Sequence, residues 1–140
     1  WLSRIPKRCI LTPHLGELER LIGKCMDTYE RLTKVKELAA YLQSYIIVKG
    51  AWTCIVTPGG NYYFNPTGNP GMATGGSGDV LTGILLGLLA QGYEREDACR
   101  LGVYVHGLAG NLAAEEKTEI GMTANDIIEA LPKAWKTLTT

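Results

Sequence analysis

Asn65-Pro-Thr-Gly-Asn-Pro-Gly-Met-Ala-Thr-Gly-Gly-Ser-Gly-Asp79 runs directly into Val80-Leu-Thr-Gly-Ile-Leu-Leu-Gly-Leu-Leu-Ala90. Five glycines fall within residues 65–78, and the stretch that follows is almost wholly apolar. A glycine-rich loop opening into a helix turns free backbone N–H groups and the positive end of the helix dipole toward the loop. That environment suits an anion. Asp79 is the only charged side chain from Gly50 through Tyr93. An Asp at a helix start is ordinarily an N-cap worth about 1 kcal/mol. With so many glycines before it, the loop reads instead as a phosphate cradle and Asp79 as the group that acts beside it.

The segments around this loop order themselves as strand, helix and strand. Arg8–Leu11 is a short apolar strand that ends at Thr12-Pro-His-Leu-Gly-Glu17, where Pro13 and Gly16 break pairing. A helix follows through Leu18, Leu21 and Ile22. Asp27 and Thr28 offer caps for a second, with Leu32, Val35, Leu38, Ala39 and Leu42 spaced three and four apart. Tyr45–Val48 is continuously apolar and β-branched, as a strand covered on both faces would be. Residues 53–57 and 62–64, around the turn Pro58–Asn61, predict a hairpin. Three helices complete the chain, over about 78–91, 95–116 and 123–138. Leu101, Val105, Leu108 and Leu112 are expected inward on the second of these. Thr123 and Asp126 have capping-box spacing at the start of the third. Gly83 and Gly87 are expected to let helices approach closely.

This order predicts a layered α/β fold with a mostly parallel sheet and flanking helices. Ligands then gather beyond the carboxyl ends of the strands, so His14, Lys49 and Asp79 are expected on one rim. At 140 residues the chain is of single-domain size, and it is read as one domain, 1–140, part of a longer fold. Lys plus Arg balance Asp plus Glu at 14 each, and no basic cluster alternates with aromatics, which excludes a nucleic-acid surface. Cys9, Cys25, Cys54 and Cys99 form no C-x-x-C pair for zinc or a redox disulfide, so free thiols in a reducing cytoplasm are expected. The apolar run Val80–Ala90 is well short of the ~20 residues a membrane span needs. His106, inside a helix, reads as a satisfied packing residue, and Glu17 as a first-turn residue favoured by the helix dipole.

The glycine run is neither a Walker P-loop, because Ser77 and Gly78 stand where Lys and Ser or Thr would follow Gly76, nor a dinucleotide fingerprint, because Leu81 takes the place of the third glycine. An anion hole with an acid beside it suits phosphoryl transfer, in which backbone N–H groups hold the moving phosphoryl and a carboxylate orients the acceptor hydroxyl.

Thr12-Pro-His-Leu-Gly-Glu17, Val48-Lys-Gly-Ala-Trp-Thr53, Asn69-Pro-Gly-Met-Ala-Thr-Gly-Gly-Ser-Gly-Asp79 and Gly121-Met-Thr-Ala-Asn-Asp126 resemble, in order and spacing, the C-terminal half of the ADP/ATP-dependent NAD(P)H-hydrate dehydratases, metabolite-repair enzymes of the ribokinase-like superfamily. The resemblance implies a lyase that phosphorylates the 6-hydroxyl of NAD(P)H hydrate from ATP or ADP with Mg²⁺ and then eliminates phosphate. It implies that Asp79 is catalytic at that hydroxyl, that Gly76, Ser77 and Gly78 supply the anion hole, and that Lys49, Gly50, Ala51, Trp52, Thr53 and Gly78 contact the adenine nucleotide. His14, with Asp79, would contact the hydrate. No protein metal ligand is assigned, and a homo-oligomeric full-length protein is expected. Leu15 departs from the family pattern, where proline is usual, which would loosen the loop that holds His14. A ribokinase-like kinase of a sugar or vitamin alcohol, and an inactive nucleotide-binding module, remain the alternatives.

Overall fold

The computed structural model describes residues 4–50 and 52–139. Contacts divide the chain into two compact units, Trp1–Phe64 and Asn65–Thr140.

The first unit contains β1 (Ile10–Leu11), α1 (Leu15–Ile22), α2 (Thr28–Leu42), β2 (Tyr45–Val48), β3 (Cys54–Val56) and β4 (Tyr62–Phe64). The strands form one sheet in the order β1-β2-β3-β4. Asp27 caps α2 by accepting from the Glu30 amide at 2.8 Å, and Val35, Leu38, Ala39 and Leu42 bury the apolar stripe that the spacing predicts. Val35, Leu42, Ile46 and Val56 are fully buried, each contributing about 1.5–3 kcal/mol. The turn from α2 into β2 is held by Ser44, which is fully buried. Its hydroxyl donates to Leu42 O at 3.0 Å and accepts from the Cys9 amide at 3.0 Å, tying β1 to β2.

The layered α/β architecture is as expected, but the pairing within this sheet is mixed rather than mostly parallel. β1 and β2 are parallel, whereas β2–β3 and β3–β4 are antiparallel. The reason is chain length. Helices α1 and α2 supply the crossover that a parallel pair requires, while residues 49–53 and 57–61 are too short for one and reverse the strand.

The second unit contains α3 (Ser77–Ala90), α4 (Arg95–Lys117) and α5 (Ala124–Thr139), preceded by a single 3-10 turn at Pro70–Met72. The capping box forms at the start of α5, where the Thr123 amide donates to Asp126 Oδ2 at 2.8 Å and the Asp126 amide to Thr123 Oγ1 at 3.4 Å. On α4, Val105 is buried and Leu101, Leu108 and Leu112 pack half-buried against the same core, inward as expected, while the other buried positions are mostly small: Ala98, Gly102, Gly107, Ala109, Gly110 and Ala113. The expectation for Gly83 and Gly87 is corrected. Close approach therefore occurs on α4, where a methyl at Gly102 would come within 2.9 Å of Leu85 Cδ2. At Gly83 and Gly87, by contrast, an added methyl meets nothing within 4 Å. Among the described residues no helix is long and apolar enough to cross a membrane.

Candidate functional site

α3 starts on Gly76, whose φ of 89° is left-handed, a conformation glycine adopts without a Cβ clash. The helix has no side-chain cap hydrogen bond. Asp79, third in the helix, is exposed, and no hydrogen bond or ion pair of its carboxylate occurs among the described residues. The capping role open to it from sequence is therefore not the one it takes. The first helical bond runs from the Val80 amide to Gly76 O at 3.1 Å, so the Gly78 and Asp79 amides precede the helical ladder. The Ser77 amide is occupied, donating to Thr74 O at 3.2 Å. Within the expected anion hole, Gly78 thus offers its backbone, and Ser77 has only its hydroxyl left to offer.

The loop before α3 is seated on α4. Asn65 Nδ2 donates to Thr67 O at 3.0 Å and to Thr67 Oγ1 at 2.8 Å, and Thr67 Oγ1 donates to Tyr104 O at 3.0 Å. Asn69 Nδ2 reaches Asn111 Oδ1 at 3.0 Å. Thr67 lies over Gly107 and Met72 over Gly110 so closely that a methyl on either glycine would overlap them. Next along the loop, His106 Nε2 lies 3.0 Å from Ser77 O and 3.3 Å from Ser77 Oγ. His106 is satisfied, as read from sequence, but its partner is a residue of the candidate site. The signal available in the sequence was the grouping of His106, Gly107, Gly110 and Asn111 at helical spacing.

Beside Asp79 a groove of about 810 Å³ opens, bounded at this end by Gly76 and Asp79 and continuing past Gly83, Gly87, Ile128 and Trp135. Its size is that of small-molecule clefts. Gly83 and Gly87, which do not pack against a helix, are part of its wall.

In the first unit His14 is the N-cap of α1. Its Nδ1 accepts from the Glu17 amide at 3.3 Å, while the His14 amide donates to Glu17 Oε1 at 3.1 Å, a capping box. Glu17 is the first-turn residue expected of it, and the imidazole lies against its carboxylate at 3.2 Å, with both side chains more than half exposed. Lys49, Gly50, Trp52 and Thr53 form the β2–β3 connection. Lys49 and Gly50 are exposed, Trp52 is 66% exposed and Thr53 is half-buried, while Ala51 lies outside the described residues. Because β1 and β2 are parallel, His14 and Lys49 follow strands that end at the same edge of this sheet. Asp79 and its loop belong to the second unit. Burial raises the Cys54 thiol to about 11 and the Cys99 thiol to about 12, and all four cysteines are free. Among the described residues no three His, Cys, Asp or Glu side chains are grouped to hold a metal.

A family model described as NAD(P)H-hydrate dehydratase matches residues 2–133. The chain is 49% identical over 131 residues to a bifunctional NAD(P)H-hydrate repair enzyme Nnr of Thermofilum pendens, covering 92% of this chain and 25% of that protein. It is 40% identical over 136 residues to an ADP-dependent (S)-NAD(P)H-hydrate dehydratase of Bacillus subtilis, covering 94% of this chain and 49% of that one. It thus spans about half, or less, of the length of these relatives. Among solved structures, the ADP/ATP-dependent NAD(P)H-hydrate dehydratase of Bacillus subtilis co-crystallized with ATP/Mg²⁺ superposes with a TM-score of 0.84 at 38% identity, over 95% of this chain and 50% of that one. Ribokinase of Arabidopsis thaliana, at 18% identity and a TM-score of 0.54, shows the fold alone. The ribokinase-like α/β fold that the resemblance implied is the fold of these neighbours, and this chain belongs to the NAD(P)H-hydrate dehydratase family.

Proposed function

We propose that the chain serves the ADP- or ATP-dependent dehydration of NAD(P)H hydrate, phosphorylating the 6-hydroxyl and eliminating phosphate to restore the nicotinamide ring. The observation that carries this reading is the carboxylate of Asp79, exposed and unspent on capping, directly after a glycine-rich loop. A module that only bound a nucleotide would have no use for a negative charge there, which speaks against the inactive alternative. That one family model runs through both units supports reading residues 1–140 as part of a single ribokinase-like domain.

In this reading Asp79 accepts the proton of the substrate hydroxyl as its oxygen bonds to phosphorus and the bond from phosphorus to the nucleotide breaks. The Gly78 and Asp79 amides, with the Ser77 hydroxyl, hold the phosphoryl oxygens. Backbone donors set in place before the reaction need no reorganisation during it, and losing one such donor costs roughly 10²–10³ in rate. His14 contacts the hydrate; its Nδ1 is committed as an acceptor in the cap, and its Nε2 lies 3.2 Å from Glu17 Oε1. Lys49, Gly50, Ala51, Trp52 and Thr53 contact the adenine nucleotide, for which the exposed indole of Trp52 offers a stacking face. Mg²⁺ commonly retains waters and relies on substrate phosphates and one or two carboxylates. The ion would be carried by the nucleotide phosphates and offset their charge, leaving Asp79 to the substrate hydroxyl.

The test is incubation with hydrated NADH or NADPH, Mg²⁺ and either ADP or ATP, following the return of the reduced-nicotinamide absorbance. Nucleotide-dependent recovery supports the reading. Phosphorylation of a sugar or vitamin alcohol with no recovery from hydrate would replace it by the kinase alternative.

A further inference from the structure

The contact between His106 and Ser77 fixes more than packing. A backbone carbonyl can only accept, so His106 Nε2, 3.0 Å from Ser77 O, bonds to it only in the tautomer that carries the proton on Nε2. A ring nitrogen that donates cannot also accept from the hydroxyl 3.3 Å away, so Ser77 Oγ is at most a second acceptor of that same N–H. In that tautomer His106 offers the hydroxyl hydrogen of Ser77 no acceptor, although the residue is only 6% exposed. A buried donor without a partner is costly, by about 1–3 kcal/mol. An anion at the N-terminal amides of α3 would supply the missing acceptor.

We propose that His106 is a positioning residue of the anion site: as the Nε2–H tautomer it anchors the first turn of α3 through Ser77 O and sets the Ser77 hydroxyl as a donor to bound phosphate. This inference rests on the reading of the α3 start as a phosphate site. The seat of the loop on α4 supplies the rigidity that the role needs, since Gly107, next to His106, is covered by Thr67, and Gly110 by Met72.

Two measurements test it without substrate turnover. The ¹⁵N shifts of the His106 ring report the tautomer directly, and the Nε2–H form is expected at neutral pH. A bare Nε2 with the proton on Nδ1 would overturn the proposal. Titration with ADP and Mg²⁺, followed at the amides of Ser77, Gly78 and Asp79, should show affinity falling roughly tenfold in His106→Leu, the scale of a lost bond to a charged group. His106→Gln, which keeps a side-chain N–H at similar reach, should recover most of it. Equal loss in both variants, or in neither, refutes positioning through the N–H, as does an ADP response confined to other residues. If His106→Leu does not fold, the tautomer and the glutamine variant still decide the matter. Failure of hydrate turnover with ADP binding and its His106 dependence intact would remove the dehydratase reading and leave this inference standing.

Discussion

Replacing Gly107 by Ala isolates the seat that holds the glycine-rich loop. Helix propensity alone favours this change by about 0.8–1.0 kcal/mol, because Ala is the better helix former. The structure predicts the opposite sign. The new methyl would overlap Thr67 Oγ1 and come within 2.7 Å of Thr67 C and 2.8 Å of Thr67 Cβ, so backbone as well as side chain must move. Overpacking of this kind costs about 1–3 kcal/mol. Displacing Thr67 also endangers its bonds to Tyr104 O and from Asn65 Nδ2, each contributing about 1 kcal/mol. Set against the propensity gain, the net loss is about 2–4 kcal/mol. With a urea m-value of about 2 kcal/mol/M, the unfolding midpoint should fall by roughly 1–2 M. Gly83→Ala is the matched control: it lies in a helix interior with nothing within 4 Å of the added methyl, so it should stabilise by about 0.5–1 kcal/mol. Urea denaturation of both variants, followed by far-UV circular dichroism, makes the comparison. If Gly107→Ala is neutral or stabilising like Gly83→Ala, the loop is not seated on α4 as described.

Asp79→Asn should lower hydrate turnover by roughly 10²–10⁴ while ADP affinity stays nearly unchanged or rises; near-normal turnover would reduce Asp79 to a helix-terminal charge. Cys54 and Cys99, with thiols raised by burial to about 11 and about 12, should resist alkylation in the native protein and react once it is unfolded, as mass spectrometry of labelled peptides would show. Because their folded values lie above the ordinary 9.0, the folded state holds more protons than the unfolded one above that pH. Stability from these two groups is therefore fully present below pH 9.0 and declines as pH rises toward about 12; an increase over that window would contradict the burial seen here. Asp27→Ala should cost about 1 kcal/mol by freeing the Glu30 amide at the start of α2, measurable as a lower urea midpoint.

Local rules account for what the sequence determined by itself. The spacing of Val35, Leu38 and Leu42 specified α2, the β-branched run specified β2, and the hairpin was legible in its turn residues, because each signal depends on neighbours within a few positions. The family motifs were legible for the same reason, since a loop that must bring backbone close to phosphate needs its glycines at fixed spacing. Tertiary structure decided what depends on distant residues. Pairing within the sheet came out mixed, because loop length rather than strand composition sets direction. The fully buried positions of α4 are mostly glycines and alanines beside the inward leucines, because α4 receives a loop 42 residues away in sequence, as the Asn69–Asn111 bond at 3.0 Å records. The pairing of His106 with Ser77 spans 29 residues, beyond any periodicity. Composition could place a histidine inside a helix, but only the packing of that helix against the α3 start brings its Nε2 to the carbonyl and hydroxyl of Ser77.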